Sequence, residues 1–403
     1  MNRNLWFLVS AQALFAIGNM TLLPVVPILG QEMSVYTRFA TLPLAINMFT
    51  MLLCSIPVSI WMGRRGRRPA FLMGMMASAV SAMVLFMAIQ QHSFILLLVG
   101  SACFGIAMSC ANFYRFAATE LVGLASHSTA ISAVMAVGVV AALVGPNLAA
   151  VTKSAFFALD FSASVLMLLP LSLVGAVLVN MVRWPQGSAG YANDHSAMPA
   201  RNVADNRRVS MRVFWRPVLT ATSGYGIMVL VMSATPLHMN HHGYDFKETA
   251  WVIQWHVLGM FAPSFLYSRL VQWCGLHGLM IAGVLVLSLS LLMNLWGDGM
   301  VVITFALLLT GVGWNFMFLG ASQWLVGLCS DHGLGNKAIA KVQGINEVCV
   351  FGLAGLAAFS SGWLIDSLGW EAINLLGFPL LCVLLVVLLL EIWFSPKPIE
   401  GSA

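Results

Sequence analysis

The chain has 403 residues, of which 60% are hydrophobic and 8% charged, with a formal net charge of +5. Soluble domains carry roughly 25% charged residues, so a water-soluble globular protein is excluded. A β-barrel is excluded as well: its strands alternate apolar and polar residues, whereas the apolar runs here are continuous, as in LLCVLLVVLLLEIWF ending at Phe394.

A bilayer-crossing helix needs about 20 apolar residues plus a connection, so at roughly 33 residues per unit the length admits about twelve spans. Apolar helical runs are predicted near 5–30, 38–62, 70–91, 94–119, 126–151 and 158–182, then near 212–238, 248–272, 276–296, 299–326, 338–365 and 369–394. The first run is too long for a signal-peptide core and is expected to be retained as the first span. The expectation is an all-α membrane protein of twelve transmembrane helices. They form two pseudo-symmetric six-helix bundles, 1–182 and 212–403, joined by a polar cytoplasmic linker at 183–211.

Sorting Lys and Arg by loop sets the orientation. A cytoplasmic N-terminus places fifteen of the nineteen on one side, among them Arg64, Arg65, Arg67 and Arg68. The other side then receives Arg38, Lys153 and Lys247, and Arg115 stays at membrane depth. Both termini are therefore expected in the cytoplasm of a cell whose inner membrane holds the protein. The positive balance is a topological signal, and no nucleic-acid partner is expected. The seven cysteines form no C-x-x-C spacing and read as small packing residues.

In the first span, Asn19 is an uncharged candidate for cargo binding or helix bridging. After the second span comes Ser59-Ile60-Trp61-Met62-Gly63-Arg64-Arg65-Gly66-Arg67-Arg68-Pro69. Its glycines permit a tight turn, and its arginines cannot enter the bilayer. They are suited to binding helix C-terminal carbonyls and acidic side chains. This segment resembles the loop 2–3 signature G-x-x-x-D-R-x-G-R-R of the major facilitator superfamily, matched by Arg64, Gly66, Arg67 and Arg68, with Gly63 in place of the Asp. The resemblance implies secondary transport by alternating access. It also implies a conformational latch at this loop, and a pathway lined by spans one, four, seven and ten.

In span four, Ser101, Phe104, Met108, Asn112, Arg115 and Thr119 recur at helical spacing and are expected on one face, which the resemblance points at the substrate. Arg115 could hold a carboxylate or phosphate with its two-pronged guanidinium. The R-x-x-Q-G element of the family is missing, with Ser101 at its Arg position. In span five, Gly145 and Pro146 resemble the family's antiporter G-P element and could bend the helix. The stretch from Leu96 aligns with that from Leu307, which pairs Asn112 with Gln323 and Phe113 with Trp324. Spans two and eight align with Asn47 against His256.

After span seven, the segment PLHMNHHGYD has histidines spaced as metal ligands at a helix end. It reads first as a solvated external loop, and no metal or cofactor is expected. In the second half, His256 suits proton coupling or cargo contact. Trp314, Asn315 and Gln323 of span ten are pathway candidates, with Phe316, Trp324, Phe113 and Tyr114 as further aromatic surface. Glu347 in span eleven, one turn from Gln343, could carry a coupling proton. No P-loop, zincin or hydrolase motif occurs, so an enzyme is not expected. The functional expectation is a monomeric, proton-coupled transporter of a small amphipathic or zwitterionic metabolite, amino-acid-like or otherwise carboxylated. A proton antiporter exporting lipophilic drugs is the alternative.

Overall fold

The structure is a computed structural model that describes residues 3–122, 127–155, 157–184, 214–332 and 336–394. The expected linker lies outside the described residues apart from Arg183 and Trp184. Among the described residues there are helices and turns and no strand. The helices are α1 Arg3–Met33, α2 Leu42–Arg65, α3 Arg67–Gln90, α4 Phe94–Ala111, α5 Tyr114–Glu120, α6 His127–Thr152, α7 Ser162–Leu166 and α8 Leu168–Met181. They continue as α9 Trp215–His241, α10 Phe246–Phe261, α11 Tyr267–Trp296, α12 Met300–Asp331 and α13 Asn336–Phe394.

Nine described helical segments are long and apolar enough to cross a membrane. Four of the twelve expected runs do not stand as separate segments among them. The run at 126–151 contributes the shorter apolar helix Ala136–Thr152. The run at 248–272 becomes the 16-residue α10. The last two runs share α13, whose path turns at Gly369 with φ 80°.

Local chemistry places the turns. Asp245 caps α10: its carboxylate accepts from the Phe246 N–H at 2.7 Å, and Glu248 reaches back to the Asp245 N–H at 2.8 Å. Ser93 starts α4 by accepting from the Leu96 N–H. Gly66 joins α2 to α3 at φ 85° and ψ 175°, and Gly275 bends α11 at φ 72° and ψ 166°, a region that excludes side chains with a Cβ.

The helices pack in two groups. In the first, α1 lies against α6 and α8, α4 against α2 and α3, and α3 against α8. In the second, α9 lies against α12 and α13, and α12 also against α10 and α11. The two largest contacts between the groups are α2 with α13 and α6 with α10; α1 also touches α9 and α10, and the turn at Thr37–Phe39 touches α13. In span numbers the two largest are two with eleven and five with eight. A shift by six spans converts one contact into the other, which is the signature of a two-fold relation between the groups.

Close helix approaches carry the same relation. A Cβ on Gly105 would strike the backbone of α2 at Asn47, and a Cβ on Gly311 would strike the backbone of α10 at His256. Asn47 and His256 thus make like contacts, each with a glycine of the neighbouring span. This packing matches Gly105 with Gly311, whereas the Leu96–Leu307 alignment sets Gly105 opposite Phe316, so the two give different registers for spans four and ten.

Hydrogen bonds and an ion pair between the groups gather toward the end where α1 finishes. There Asn240 donates to Gln31 at 3.0 Å, and the Gly362 N–H donates to the Thr41 hydroxyl at 3.0 Å. Lys153 approaches Asp245 at 3.8 Å, and Asn147 donates to Gln254 at 2.6 Å. Phe161 packs edge-on to Phe246 at 4.7 Å. Toward the opposite end, Asn112, Arg115, Gln323 and Gln343 are exposed.

Candidate functional site

The residue that organises the interior is Tyr225 on α9. Its ring meets Trp314 at 5.4 Å, Phe318 at 5.6 Å and Phe351 at 5.6 Å, each edge to face. Trp314 and Phe318, four residues apart on α12, stack in parallel at 5.1 Å. Spans seven, ten and eleven thus contribute one aromatic cluster. Within it the Trp314 indole N–H is buried and has no hydrogen-bond partner. The Thr222 hydroxyl, three residues before Tyr225, is likewise buried and unpartnered. Leaving a buried polar group unpaired costs about 1–3 kcal/mol, so each of these groups calls for a partner, which water or a bound molecule can supply.

Two charged groups approach the cluster. Glu347 lies one turn before Phe351 on α13, and its carboxyl is near enough to Tyr225 to interact electrostatically. Arg115, on α5 of the other group, is within electrostatic reach of Glu347. Its guanidinium rests over the Phe116 ring at 4.8 Å. Glu120, the carboxylate nearest to Arg115 in sequence, is held by Arg67 instead, through bonds of 3.0 and 2.7 Å.

The span-four candidates straddle a short interruption at Asn112 and Phe113, between α4 and α5. Ser101 is buried and bonds its own helix at Leu97, and Phe104 stacks on Phe15 at 5.6 Å. Asn112, within the interruption, and Arg115, beyond it, are exposed. Tyr114 is core, packed on Phe71 at 4.2 Å, and Trp324 packs edge-on to His277 at 4.8 Å.

The remaining candidates are placed as follows. Asn19 is half-buried on α1. His256 is wholly buried, and its Nδ1–H donates to the Leu307 carbonyl at 2.8 Å, a bridge between α10 and α12. Asn315 donates both amide protons, to the Met260 carbonyl and the Ser264 hydroxyl, each at 2.7 Å. Gln323 accepts from the Tyr267 hydroxyl at 2.9 Å. His256, Asn315 and Gln323 therefore tie α12 to its neighbours, and of the span-ten candidates Trp314 alone joins the aromatic cluster. Gly145 lets α6 approach α1 where a Cβ would overlap Met20, and Pro146 sits inside α6 beside it. In the loop between α2 and α3, Arg67 bonds Glu120 and Arg68 bonds Asn180, while Arg64 is exposed.

The Major Facilitator Superfamily matches residues 8–357 of this sequence. The chain belongs to that superfamily. This major facilitator superfamily member is 32% identical over 402 residues to a riboflavin transporter, RfnT, of Brucella anthropi, a match that covers 100% of this chain and 98% of that one. It is 26% identical to YdeG of Bacillus subtilis, an uncharacterized transporter of the same type, over 87% of this chain and 83% of the relative. Among solved structures, a D-xylose–proton symporter superposes with a TM-score of 0.73 at 12% identity, covering 99% of both chains. The human organic anion transporter MFSD10 gives 0.66 at 17% identity, covering 96% of this chain and 100% of that one. The protein is a multi-pass membrane transport protein that acts on a small molecule.

Sequence reasoning missed Tyr225, Thr222, Phe318 and Phe351. Thr222 and Tyr225 share a helix face inside an apolar run, a signal that was present. Phe318 and Phe351 carry no mark that separates them from lipid-facing aromatics, because composition does not report which way a span is turned.

Proposed function

We propose that this protein carries a flat, amphipathic heteroaromatic metabolite of the riboflavin class by alternating access, with two halves, 1–182 and 212–403, rocking about the aromatic cluster. The observation that carries the reading is the cluster of Tyr225, Trp314, Phe318 and Phe351 around the unpartnered Trp314 N–H. A planar ring system gains stacking energy from such rings, and its heteroatoms accept the indole proton. Riboflavin is uncharged, flat at one end and polyhydroxylated at the other, which suits a site with rings on one side and Thr222 and Asn19 available for hydroxyl groups. The relative named a riboflavin transporter supports this choice.

Arg115 and Glu347 support a second reading, a carboxylated or zwitterionic cargo held by opposite charges from the two halves. In both readings Glu347 carries the coupling proton. With the orientation favoured by the positive-inside bias, the end where the groups are bonded together is external and sealed, and the opposite end opens to the cytoplasm of the inner membrane.

Counterflow in proteoliposomes tests the cargo. Labelled riboflavin should exchange against internal riboflavin, and Trp314→Ala should weaken its apparent affinity roughly tenfold or more, the scale of one aromatic stacking contact. No exchange by the unaltered protein, or an unaltered affinity in Trp314→Ala, would sink the flavin reading.

A further inference from the structure

The cargo site leaves one cluster of ligating side chains unused, at the sealed end of the second helix group. His238 and His242 are four residues apart at the end of α9 and share a face. Gly243, at φ 77°, reverses the chain so that the Tyr244 hydroxyl donates to the Asp298 carbonyl at 2.7 Å. That bond seats the loop between α11 and α12 against the two histidines. His238 Nε2 lies 3.0 Å from Asp298 Oδ1, and His242 Nε2 lies 3.6 Å from Asp298 Oδ2. The ligand atoms of all three residues fall within 4.8 Å of one another.

We propose that His238, His242 and Asp298 form a binding site for a divalent transition metal of the zinc class. Zinc bonds of about 2.0–2.1 Å to nitrogen and oxygen require tetrahedral edges of roughly 3.3 Å; His238 Nε2 stands slightly inside that length from one Asp298 oxygen, and His242 Nε2 slightly outside it from the other. The proton positions point the same way. His242 Nδ1 lies 3.0 Å from the His238 carbonyl oxygen, which only accepts, so Nδ1 carries the proton. In neutral His242, Nε2 then presents a lone pair to a carboxylate oxygen, and two acceptors face one another. A second proton on His242 or a cation between them resolves the conflict, and a cobalt spectrum separates the two. The bond from Nδ1–H to a backbone carbonyl is also the support that metal-bound histidines ordinarily have.

The rest of the site is built. The His238 ring is buried and stacks on Trp370 at 4.3 Å and 12°, and the Trp370 indole N–H is fixed by the Asn294 carbonyl at 3.1 Å. Asp298 and His242 are exposed and leave an approach from solvent. Two nitrogens and one carboxylate favour zinc, cobalt or nickel over calcium and magnesium, which take oxygen ligands. Three protein ligands leave a fourth position for water. Asn240, between the two histidines in sequence, bonds Gln31 across the sealed end, so a bound ion would brace the element that makes that contact.

The test uses the purified full-length chain without a polyhistidine tag, stripped with chelator in detergent. Zinc chloride at micromolar concentration should raise the unfolding temperature, and calcium and magnesium chloride should not. His242→Ala and Asp298→Asn, both at exposed positions, should each weaken zinc binding by at least roughly tenfold. Cobalt should give the intense visible bands of a tetrahedral site in the unaltered protein, a readout that needs no variant. An absent zinc shift, a zinc response equal in both variants and the unaltered chain, or a pale octahedral cobalt spectrum would each overturn the proposal.

Discussion

Glu347 and Arg115 stand on opposite helix groups, and each can be tested by removing one charge. Glu347→Gln keeps the size of the side chain and removes its ability to exchange a proton. In proteoliposomes this variant should retain cargo exchange and lose uphill transport driven by a pH gradient. Uphill transport at the unaltered rate would take Glu347 out of the coupling mechanism. Arg115→Ala separates the two cargo readings. It should leave riboflavin counterflow within about twofold and lower exchange of a carboxylated cargo by about tenfold or more, the energy of a charge-assisted bond. A large loss for riboflavin itself would place Arg115 in contact with an uncharged cargo and break the assignment. Both charged residues were legible in the sequence, because ionisable groups at membrane depth are expensive. Tyr225 was not, because a phenol among apolar residues is common in the interior of a protein and nothing in its own segment shows three rings from α12 and α13 closing on it.

At the scale of elements, the turns were more legible than the interfaces. Gly66 and Gly275 join equivalent spans of the two groups with nearly the same backbone angles, and a Cβ at either position would meet nothing within 4 Å. The requirement is therefore conformational, and alanine at either site should cost about 1–3 kcal/mol. Gly278, three residues beyond Gly275 and inside α11, is the control: Gly278→Ala makes only an ordinary contact and should be neutral or stabilising by up to about 1 kcal/mol. Thermal unfolding of Gly66→Ala, Gly275→Ala and Gly278→Ala measures all three, and equal midpoints would contradict the backbone argument. The register of span four against span ten is hard to read for a related reason. Leucine-rich runs align at several offsets, and the contacts of Gly105 on α2 and Gly311 on α10 favour a different offset from Leu96 on Leu307. The interruption after Ala111 has no Pro or Gly to mark it.

For the whole molecule, the sealed and open ends predict which residues a water-soluble reagent can reach. A single cysteine at Gln343, in a variant with the seven native cysteines replaced, should react with an impermeant maleimide from the open side. A cysteine at Thr41, buried and bonded to Gly362, should stay protected in the same state. Equal labelling at both positions would contradict a structure sealed at one end. The contacts of α2 with α13 and of α6 with α10 are the two largest between the groups. Arg67 and Glu120 pair within the first group and brace it internally.

The sequence alone determined the class, the helix-rich architecture and the positions of the tight turns. Each of these follows from local chemistry: apolar run length against bilayer thickness, the backbone freedom of glycine, and the cost of burying charge. Tertiary structure decided which rings meet. It took His256 and Asn315 into helix bridging, drew Tyr225 and Phe351 into the cluster with Trp314, and brought Asp298 to two histidines nearly sixty residues away in sequence. The physical reason is that lipid and protein interior are alike apolar. Within a continuous hydrophobic run, no residue type records which face turns inward, and only the packing of one helix on another settles it.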